Sequence, residues 1–376
     1  MKSILPMTCP IIRVILFCLV STPFFAQSLR VSEAQMQRIY EAVKTPYKYG
    51  LVLTPADNSQ KMDCPTVFRK GRSWYMTYLI YNGRGYETWL ATSKDLLHWQ
   101  NLGRQLSFAD TTSRQWDAHQ KAGYNVLQDT RWGGSYRLKK YRDNYWMTYI
   151  GGAARGYEAG DLSIGVAYTA KNPATAHEWQ CKPTPVLTAN DADVRWWENR
   201  KLFKSTVIQD QQRLTGHPFV MYYNANGDTT GVNKTRWFER IGMAVSDDML
   251  NWQRFNKEPV LMHPAGITGD AVLQQIDGLW VMFYFGAFWQ DREGAFNRFA
   301  ASTDLVNWTD WTGVNLVEPS EPYDELYAHK SFVVKHKGLV YHFYCAVNKQ
   351  DQRGIAVATS ADLGKSGKQF IIINKK

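Results

Sequence analysis

The chain has 376 residues with a formal net charge of +10, and 44% of its residues are hydrophobic, 14% aromatic and 21% charged. This composition excludes a disordered or low-complexity chain, because enough apolar surface is present to offset the entropy lost on folding. Five cysteines in this length exclude a small disulfide scaffold, and the aromatic excess favours β structure and surfaces that stack on sugar rings.

Residues 1–26 have the pattern of a secretory signal peptide. Lys2 and Arg13 supply positive charge, and the largely apolar run over 14–26 is too short to span a membrane. The sequence therefore predicts an exported protein, periplasmic or extracellular, without a membrane span. Basic residues are scattered along the chain, so no nucleic-acid partner is expected, whereas an acidic sugar remains an open ligand class.

Three cysteines, Cys64, Cys181 and Cys345, remain after the predicted cleavage. They cannot all pair with one another, and no Cys-x-x-Cys spacing suggests a zinc site. Free thiols are therefore predicted.

Residues 27–49 form a predicted N-terminal helical segment. Helical spacing of apolar residues over 31–45 follows a Ser32 cap, and Pro46 ends the pattern.

The rest of the chain, 50–376, is organised by an internal repeat. The phrase Ser-x-Asp-Leu-x-x-Trp and its variants recur after aromatic, alternating strands, at 91–99, 244–252 and 301–308, with weaker copies at 167–179 and 358–363. Five copies of a four-stranded unit predict an all-β fold, a five-bladed β-propeller of antiparallel blades. The repeated Trp and Leu are interpreted as packing between blades, and the Ser and Asp as turn-forming.

The first strand of each blade lines the central channel, so the starts of these strands should converge on one face. Counting back from the second strands places these starts at Asp63, Gly134–Ser135, 196–200 (with Glu198), Asp270 and His329. Ionisable groups held close in a partly desolvated mouth shift one another's pKa, as acid–base catalysis requires. The alternative is that they bond backbone amides, or hold water or an ion.

Loops between the second and third strands reach the same face. Aromatic rings stack on sugars, while Arg and Glu bond hydroxyls or a carboxylate. Together with neighbours of the strand starts, these loops give the predicted substrate-binding residues Arg84, Tyr86, Glu87, Ser135, Arg155, Tyr157, Glu158, Trp197, Arg200, Trp289, Arg292 and Lys330. For the two Arg-Gly-Tyr-Glu loops, a turn with a local ion pair is the alternative interpretation.

These motifs resemble the five-bladed propeller glycoside hydrolases, family 43 and its relatives 32, 62, 117 and 130, and secreted glycosidase-like proteins of gut Bacteroidetes. The resemblance covers about residues 50–373 and depends on Asp63-Cys-Pro, the repeated phrase and Glu198. The resemblance to family 43 implies that Asp63 is the general base and Glu198 the general acid. Asp270 would then replace the carboxylate that is lacking at Gly134–Ser135. The family 117 pattern instead implies His329 as the acid.

The resemblance implies a glycoside hydrolase that needs no cofactor, is exo-acting and inverting, and acts on plant, algal or host oligosaccharides. A phosphorylase like family 130 is one alternative, with Arg195, Arg200, His329 and Lys330 as its phosphate pocket. A non-catalytic carbohydrate-binding propeller is the other. A structural calcium in the channel near His329 stays open, as do the sugar and the oligomeric state.

Overall fold

The computed structural model describes residues 30–109, 115–227, 238–289 and 292–371, so the predicted signal peptide lies outside the described residues. One helix and twenty strands are found in these ranges. In chain order they are α1 Glu33–Val43, β1 Tyr47–Leu53, β2 Lys61–Lys70, β3 Ser73–Tyr81, β4 Tyr86–Ser93, β5 Trp99–Leu106, β6 Gln120–Asn125, β7 Tyr145–Gly152, β8 Ser163–Thr169, β9 Gln180–Cys181, β10 Lys201–Gln209, β11 Phe219–Asn226, β12 Glu239–Ser246, β13 Gln253–Arg254, β14 Ile267–Ile276, β15 Leu279–Trp289, β16 Arg292–Ser302, β17 Thr309–Asp310, β18 Tyr327–His336, β19 Leu339–Val347 and β20 Arg353–Thr359.

The strands form antiparallel groups of four in sequence order. Strands β2–β5 and β6–β9 are separate four-stranded sheets, and the remaining strands form one twelve-stranded sheet. Within that sheet, single parallel pairs, Glu239 with Ile267 and Ala295 with Tyr327, join consecutive antiparallel groups. The fold is thus nearly all-β and consistent with a β-propeller, as the repeat predicts.

Strand β1 completes the last group by pairing antiparallel with β20, from Tyr47 opposite Thr359 to Leu53 opposite Ile355. The apolar run over 370–373 in the sequence instead predicts an outer strand at the C-terminal end. Phe370 and Ile371 have no strand structure, and 372–373 lie outside the described residues. An N-terminal strand thus joins a C-terminal group, so the two ends of the repeat region are tied together by backbone hydrogen bonds.

The predicted N-terminal helix is confirmed. Ser32 is its N-cap, and the Ser32 and Gln35 side chains bond reciprocally to backbone amides in a capping box. Met36, Ile39 and Val43 are buried on one face against the β14–β16 region. None of the described helices is long and apolar enough to cross a membrane.

The recurring Ser-x-Asp-Leu-x-x-Trp phrase has the predicted structural role. In its first copy, Ser93 Oγ accepts a hydrogen bond from the backbone N–H of Leu96 at 2.9 Å, and Asp95 accepts two further backbone N–H bonds. The ring of Trp99 donates to the carbonyl of Leu96 at 2.9 Å. The same contacts recur in the copies at Ser246–Trp252 and Ser302–Trp308.

Candidate active site

A cavity of about 230 Å³ lies where several of the four-strand groups meet. Apolar and aromatic side chains form much of its wall, with acidic and basic side chains among them. The lining residues are Cys64, Leu79, Tyr86, Tyr124, Ile150, Tyr157, Glu158, Phe203, Lys204, Asn224, Glu239, Ile267, Asp270, Phe285, Ala287, Phe288, Ala295, Tyr327, His329, Lys330 and Arg353. An apolar wall with a few convergent polar groups is the usual form of a small-molecule site.

The first strands of four of the groups each have an irregularity in their pairing at the same relative position, and these irregularities direct side chains into the cavity. The pairing register shifts after Asp63, Leu202, Gly269 and His329. Within three of these irregular stretches, Cys64, Asp270 and Lys330 have positive φ angles of 48°, 59° and 60°. A β-bulge re-aims a side chain, so these residues, with Lys204 in the fourth stretch, line the cavity.

Asp63 lies next to the cavity but is not among its lining residues, and it is 1% exposed. One of its carboxylate oxygens lies 2.7 Å from Lys330 Nζ and 3.9 Å from Arg353 Nη1. The other oxygen accepts a bond from the backbone N–H of Cys64 at 2.9 Å. Burial opposes ionisation, but nearby positive charge, that of Lys330 above all and also that of Arg353, outweighs it and holds the pKa of Asp63 well below its usual range. Asp63 is therefore an ionised, fully bonded carboxylate.

Asp270 and His329 do line the cavity, as predicted. Asp270 lies 3.6 Å from Lys204 Nζ and accepts the thiol of Cys64 at 3.6 Å. His329 Nδ1 lies 3.2 Å from the carbonyl oxygen of Cys345. Burial, together with the charge of Lys330, lowers the pKa of His329 to about 3, so its imidazole is neutral at neutral pH and is a poor proton donor there.

Two glutamates, Glu158 and Glu239, line the cavity and are partly exposed. Burial raises the pKa of Glu239 to about 8, and the charge of Glu158 adds to this effect. Burial also raises the pKa of Glu158, while the charges of Lys330 and Arg353 oppose the rise. Within the described ranges each carboxyl group has one neutral side-chain partner: Asn224 Nδ2 donates to Glu239 at 2.7 Å, and the Tyr86 hydroxyl donates to Glu158 at 3.5 Å.

Glu239 was missed in the sequence analysis. It begins β12, the third strand of its group, directly after a connection from β11. Glu158 lies in the corresponding connection of the β6–β9 sheet, before β8. The loop argument that identified Glu158 would have identified Glu239 had it been applied to the third repeat.

The structure does not bring Glu198 to the cavity. Its side chain is fully buried and accepts bonds from Arg254 Nε at 2.7 Å, the Tyr223 hydroxyl at 2.5 Å and the backbone N–H of Arg195 at 3.0 Å. Arg254 also pairs with Asp191 at 2.9 Å and with Asp193 at 2.8 Å. Glu198 is thus one member of a buried ion-pair network, which corrects its predicted position at the mouth of the channel.

The predicted strand start at Gly134–Ser135 is also corrected. The first strand of this group is β6, Gln120–Asn125, and a long connection separates it from β7, so counting back from β7 by the same distance as in the other repeats placed the strand start too late in the chain. Ser135 lies in that connection, where its hydroxyl donates to Asp129 at 2.6 Å.

Among the predicted substrate-binding residues, Tyr86, Tyr157, Glu158 and Lys330 line the cavity, and Trp289 and Arg292 line an adjoining groove. The remainder lie elsewhere. Arg84 donates to His119 at 2.9 Å, and Glu87 pairs with Arg104 of β5 at 2.9 Å, so the ion pair of Glu87 reaches outside its own Arg-Gly-Tyr-Glu loop.

Three further predicted residues are also outside the cavity lining. Arg155 and Arg200 are exposed. Trp197 is 1% exposed, stacks on Tyr223, and donates to the carbonyl of Lys257 at 3.1 Å. Trp197 therefore has a packing role, and the two arginines have surface positions.

Within the described ranges, one compact group of metal-ligand types is found, Asp63, His329 and Cys345, whose ligand atoms lie within 4.8 Å of one another. Calcium takes six to eight oxygen ligands. This group offers one carboxylate, already bonded to Lys330, so it does not fit calcium. Cys64, Cys181 and Cys345 are free thiols, as predicted.

Comparisons with known proteins agree with the fold. The chain is similar to a solved structure named as a glycoside hydrolase, with 50% identity and a TM-score of 0.88, over 92% of this chain and 100% of the other. It is equally similar to a solved structure named as a BT0996 RGII complex, with 51% identity, a TM-score of 0.88 and the same coverage.

More distant matches are shorter or share only the fold. A β-1,2-mannobiose phosphorylase of Thermoanaerobacter sp. (strain X514) is 30% identical over 122 residues, which span 30% of this chain and 38% of that curated relative. A family 117 glycoside hydrolase of Zobellia galactanivorans has a TM-score of 0.58 at 14% identity, over 85% of this chain and 91% of the other. No family model matches the chain.

Proposed function

This chain belongs to the glycoside hydrolases of propeller fold, and we propose that Glu239 and Glu158 are the two carboxyl groups with which it cleaves glycosidic bonds. The observation that supports this choice is that both glutamates line one cavity and that burial raises the pKa of each, to about 8 for Glu239, while the charges of Lys330 and Arg353 oppose the rise at Glu158. Two carboxyl groups of one site whose surroundings differ in this way can serve as an acid and a base. Because the chain belongs to a family of enzymes, the non-catalytic alternative is set aside.

Glu239 acts as the general acid. Its pKa of about 8 keeps it protonated at neutral pH, so it can protonate the departing glycosidic oxygen. Glu158 is the partner carboxylate, because Lys330 and Arg353 favour its ionised form. It either activates water or attacks the anomeric carbon directly, and the separation of the two carboxyl groups around the bound sugar determines which.

Lys330, Arg353 and Asp63 form a cluster of charged side chains at the site. The ionised Asp63 holds the two cations in place, and their remaining positive charge opposes the rise in the pKa of Glu158 that burial causes. Asp63 is therefore a positioning residue in this proposal, in place of the general base implied by the sequence resemblance.

Exo action on an oligosaccharide is supported by the volume of the cavity. At about 230 Å³ it is smaller than the ~300–1,000 Å³ of typical ligand sites, which suits one terminal sugar unit. The similar protein named as a BT0996 RGII complex supports RGII-derived oligosaccharides as the substrate class. Inversion at the anomeric carbon stays a prediction, and proton NMR of the first sugar released would decide it.

The proposal includes two further expectations, one about the number of blades and one about export of the protein. The two four-stranded sheets and the three antiparallel groups of the larger sheet support five blades around the cavity. Export after cleavage near residue 26 is the accompanying proposal for localisation, and N-terminal sequencing of the mature protein would test it.

A phosphorylase is the second candidate, favoured by the short match to the β-1,2-mannobiose phosphorylase. Of the four cationic residues predicted for a phosphate pocket, His329 and Lys330 line the cavity. Of these two residues His329 is neutral and Lys330 is bonded to Asp63, and the other two predicted cations, Arg195 and Arg200, do not line the cavity, so the predicted phosphate pocket is not assembled there. A strict requirement for phosphate in sugar release would favour this candidate over hydrolysis.

The test is a screen of the purified protein on RGII oligosaccharides and aryl glycosides in phosphate-free buffer. We expect release of a single sugar by the wild type and its loss in Glu158→Gln and Glu239→Gln. Glu258→Gln, a change at an exposed glutamate outside the cavity, is the matched control and should retain activity. Full activity in both cavity variants would contradict the assignment.

A further inference from the structure

A second depression of about 680 Å³ adjoins the cavity, between the β15–β16 hairpin and the segment that leads into β18. Its lining residues are Phe288, Trp289, Arg292, Gly294, Phe296, Glu318, Pro319, Glu325, Leu326 and Tyr327. We call it the hairpin groove. Phe288 and Tyr327 line both the cavity and the hairpin groove, so the two spaces meet at these rings.

Phe288 is held at this junction by an irregular backbone. The register of β15 and β16 shifts between Ala287 and Trp289, and Phe288 has a φ of 55°. A positive φ is an outlier for a bulky residue and costs free energy. Its ring is 36% exposed and meets Tyr327 edge to face at 5.8 Å between ring centroids. The strained backbone thus holds the ring of Phe288 beside that of Tyr327, and the two rings form the border between the cavity and the hairpin groove.

The chemistry of the hairpin groove suits sugar units. Phe296 and Trp289 are buried beneath it, and the guanidinium of Arg292 lies 5.0 Å from the centroid of Phe296. Arg292 pairs with Glu318 at 3.1 Å, and both side chains are about half exposed. The exposed aromatic surface is that of Phe288, and an exposed ring near accessible charged groups combines stacking with hydrogen bonding to hydroxyls.

The hairpin groove also lies on the side of the proposed acid. Glu239 pairs with Ile267 in the parallel contact between β12 and β14. The indole of Trp289 donates to the carbonyl of Ile267 at 2.8 Å, so the hairpin is fixed to the strand beside Glu239. A general acid must lie beside the departing oxygen, so the sugar units attached to that oxygen leave the cavity near this wall.

We propose that the hairpin groove binds the sugar units on the leaving-group side of the scissile bond, with Phe288 as the stacking residue at the junction and Arg292 as a polar contact. This inference rests on the proposed function, because it takes the cavity as the site of the terminal sugar. The enzyme is thereby selective for glycosides whose leaving group is itself an oligosaccharide.

The kinetic test compares kcat/KM on RGII oligosaccharide with kcat/KM on the aryl glycoside of the sugar that the wild type releases. We expect Phe288→Ala to lower the ratio of the two values about five- to tenfold, and Arg292→Ala to lower it about threefold. Phe255→Ala is the matched control, since Phe255 is 37% exposed and lines a separate depression. An unchanged ratio in both groove variants, or an equal fall in the control, would overturn the proposal.

A binding measurement separates this proposal from the proposed function. RGII oligosaccharide is titrated calorimetrically into Glu239→Gln, alone and combined with Phe288→Ala or with Phe255→Ala. Weaker binding to the variant that combines Glu239→Gln with Phe288→Ala, and not to the other two proteins, supports the hairpin groove. This holds even if the wild type shows no turnover, because the lack of turnover would count against the proposed function only. Equal binding in all three proteins overturns the hairpin groove.

Discussion

Two adjacent residues of β11 each donate a hydrogen bond to a different glutamate. Tyr223 donates its hydroxyl to Glu198, and Asn224 donates its amide to Glu239. Because successive side chains of a strand point to opposite faces, the two glutamates lie on different sides of the same sheet. Glu198 faces Arg254 within a closed network, whereas Glu239 faces the cavity among other carboxyl groups.

The difference between these sites shows that burial alone does not identify a catalytic carboxyl group. The carboxylate of Glu198 is neutralised by a buried guanidinium and three hydrogen bonds, an arrangement that stabilises a charge. Among the described residues Glu239 has one neutral donor and acidic neighbours, and burial favours its protonated form. The cavity thus keeps a proton available on Glu239, whereas the network holds the carboxylate of Glu198 in an ion pair with Arg254.

The largest expected effect is a loss of catalytic activity in the Glu239→Gln variant. We expect kcat/KM to fall about 10²–10⁴-fold, because the amide cannot donate the proton that general acid catalysis requires. The free energy of unfolding should not decrease, since no ion pair of the Glu239 carboxyl group is found among the described residues. Initial rates and urea unfolding curves measure both quantities, and a stable variant with wild-type kcat/KM would contradict the assignment.

The second effect is on stability, in Glu198→Gln. Removing one partner of a buried ion pair leaves Arg254 undercompensated, so we expect a loss of about 3 kcal/mol in the free energy of unfolding. Asp191 and Asp193 remain beside Arg254 and limit the loss. Activity per folded molecule should stay within about threefold of wild type. A large fall in kcat at unchanged stability would restore Glu198 as the acid.

The third prediction concerns pH. Activity should fall as pH rises through about 8, where Glu239 loses its proton. The folded state holds this proton above the ordinary glutamate pKa of 4.5, so the free energy of unfolding should also fall between pH 4.5 and 8. Rate profiles and urea curves at several pH values test this, and Glu239→Gln should lack this part of the pH dependence of stability.

The smallest effects come from the two adjacent residues of β11. Tyr223→Phe removes a bond to a buried charge and should lower the free energy of unfolding by about 1.5 kcal/mol, with no shift in the pH profile. Asn224→Ala removes a bond that favours ionised Glu239, so the basic limb of the profile should move to higher pH. Identical pH profiles for both variants would show that the two sites are not separate.

Much of the fold was predictable because its signals are local. The Ser32 cap of α1 and the Ser93–Trp99 turn each depend on residues within a few positions of one another. Their repetition along the chain predicts four-stranded groups before any long-range contact is known. The long connection between β6 and β7 was missed because no local signal distinguishes it from a hairpin. As a result, Ser135 was wrongly predicted to lie at the start of the first strand of its group.

The sequence by itself determined the repeat, the helix, the free cysteines and a set of ionisable residues from which a site could be built. Only the tertiary structure decided which of these residues are paired. Lys330 reaches Asp63 across 267 positions of the chain, and Arg254 reaches Glu198 across 56. Because the pKa of a buried group depends on the charges around it, the roles of Glu198 and Glu239 were set by those distant neighbours, which residue spacing does not reveal.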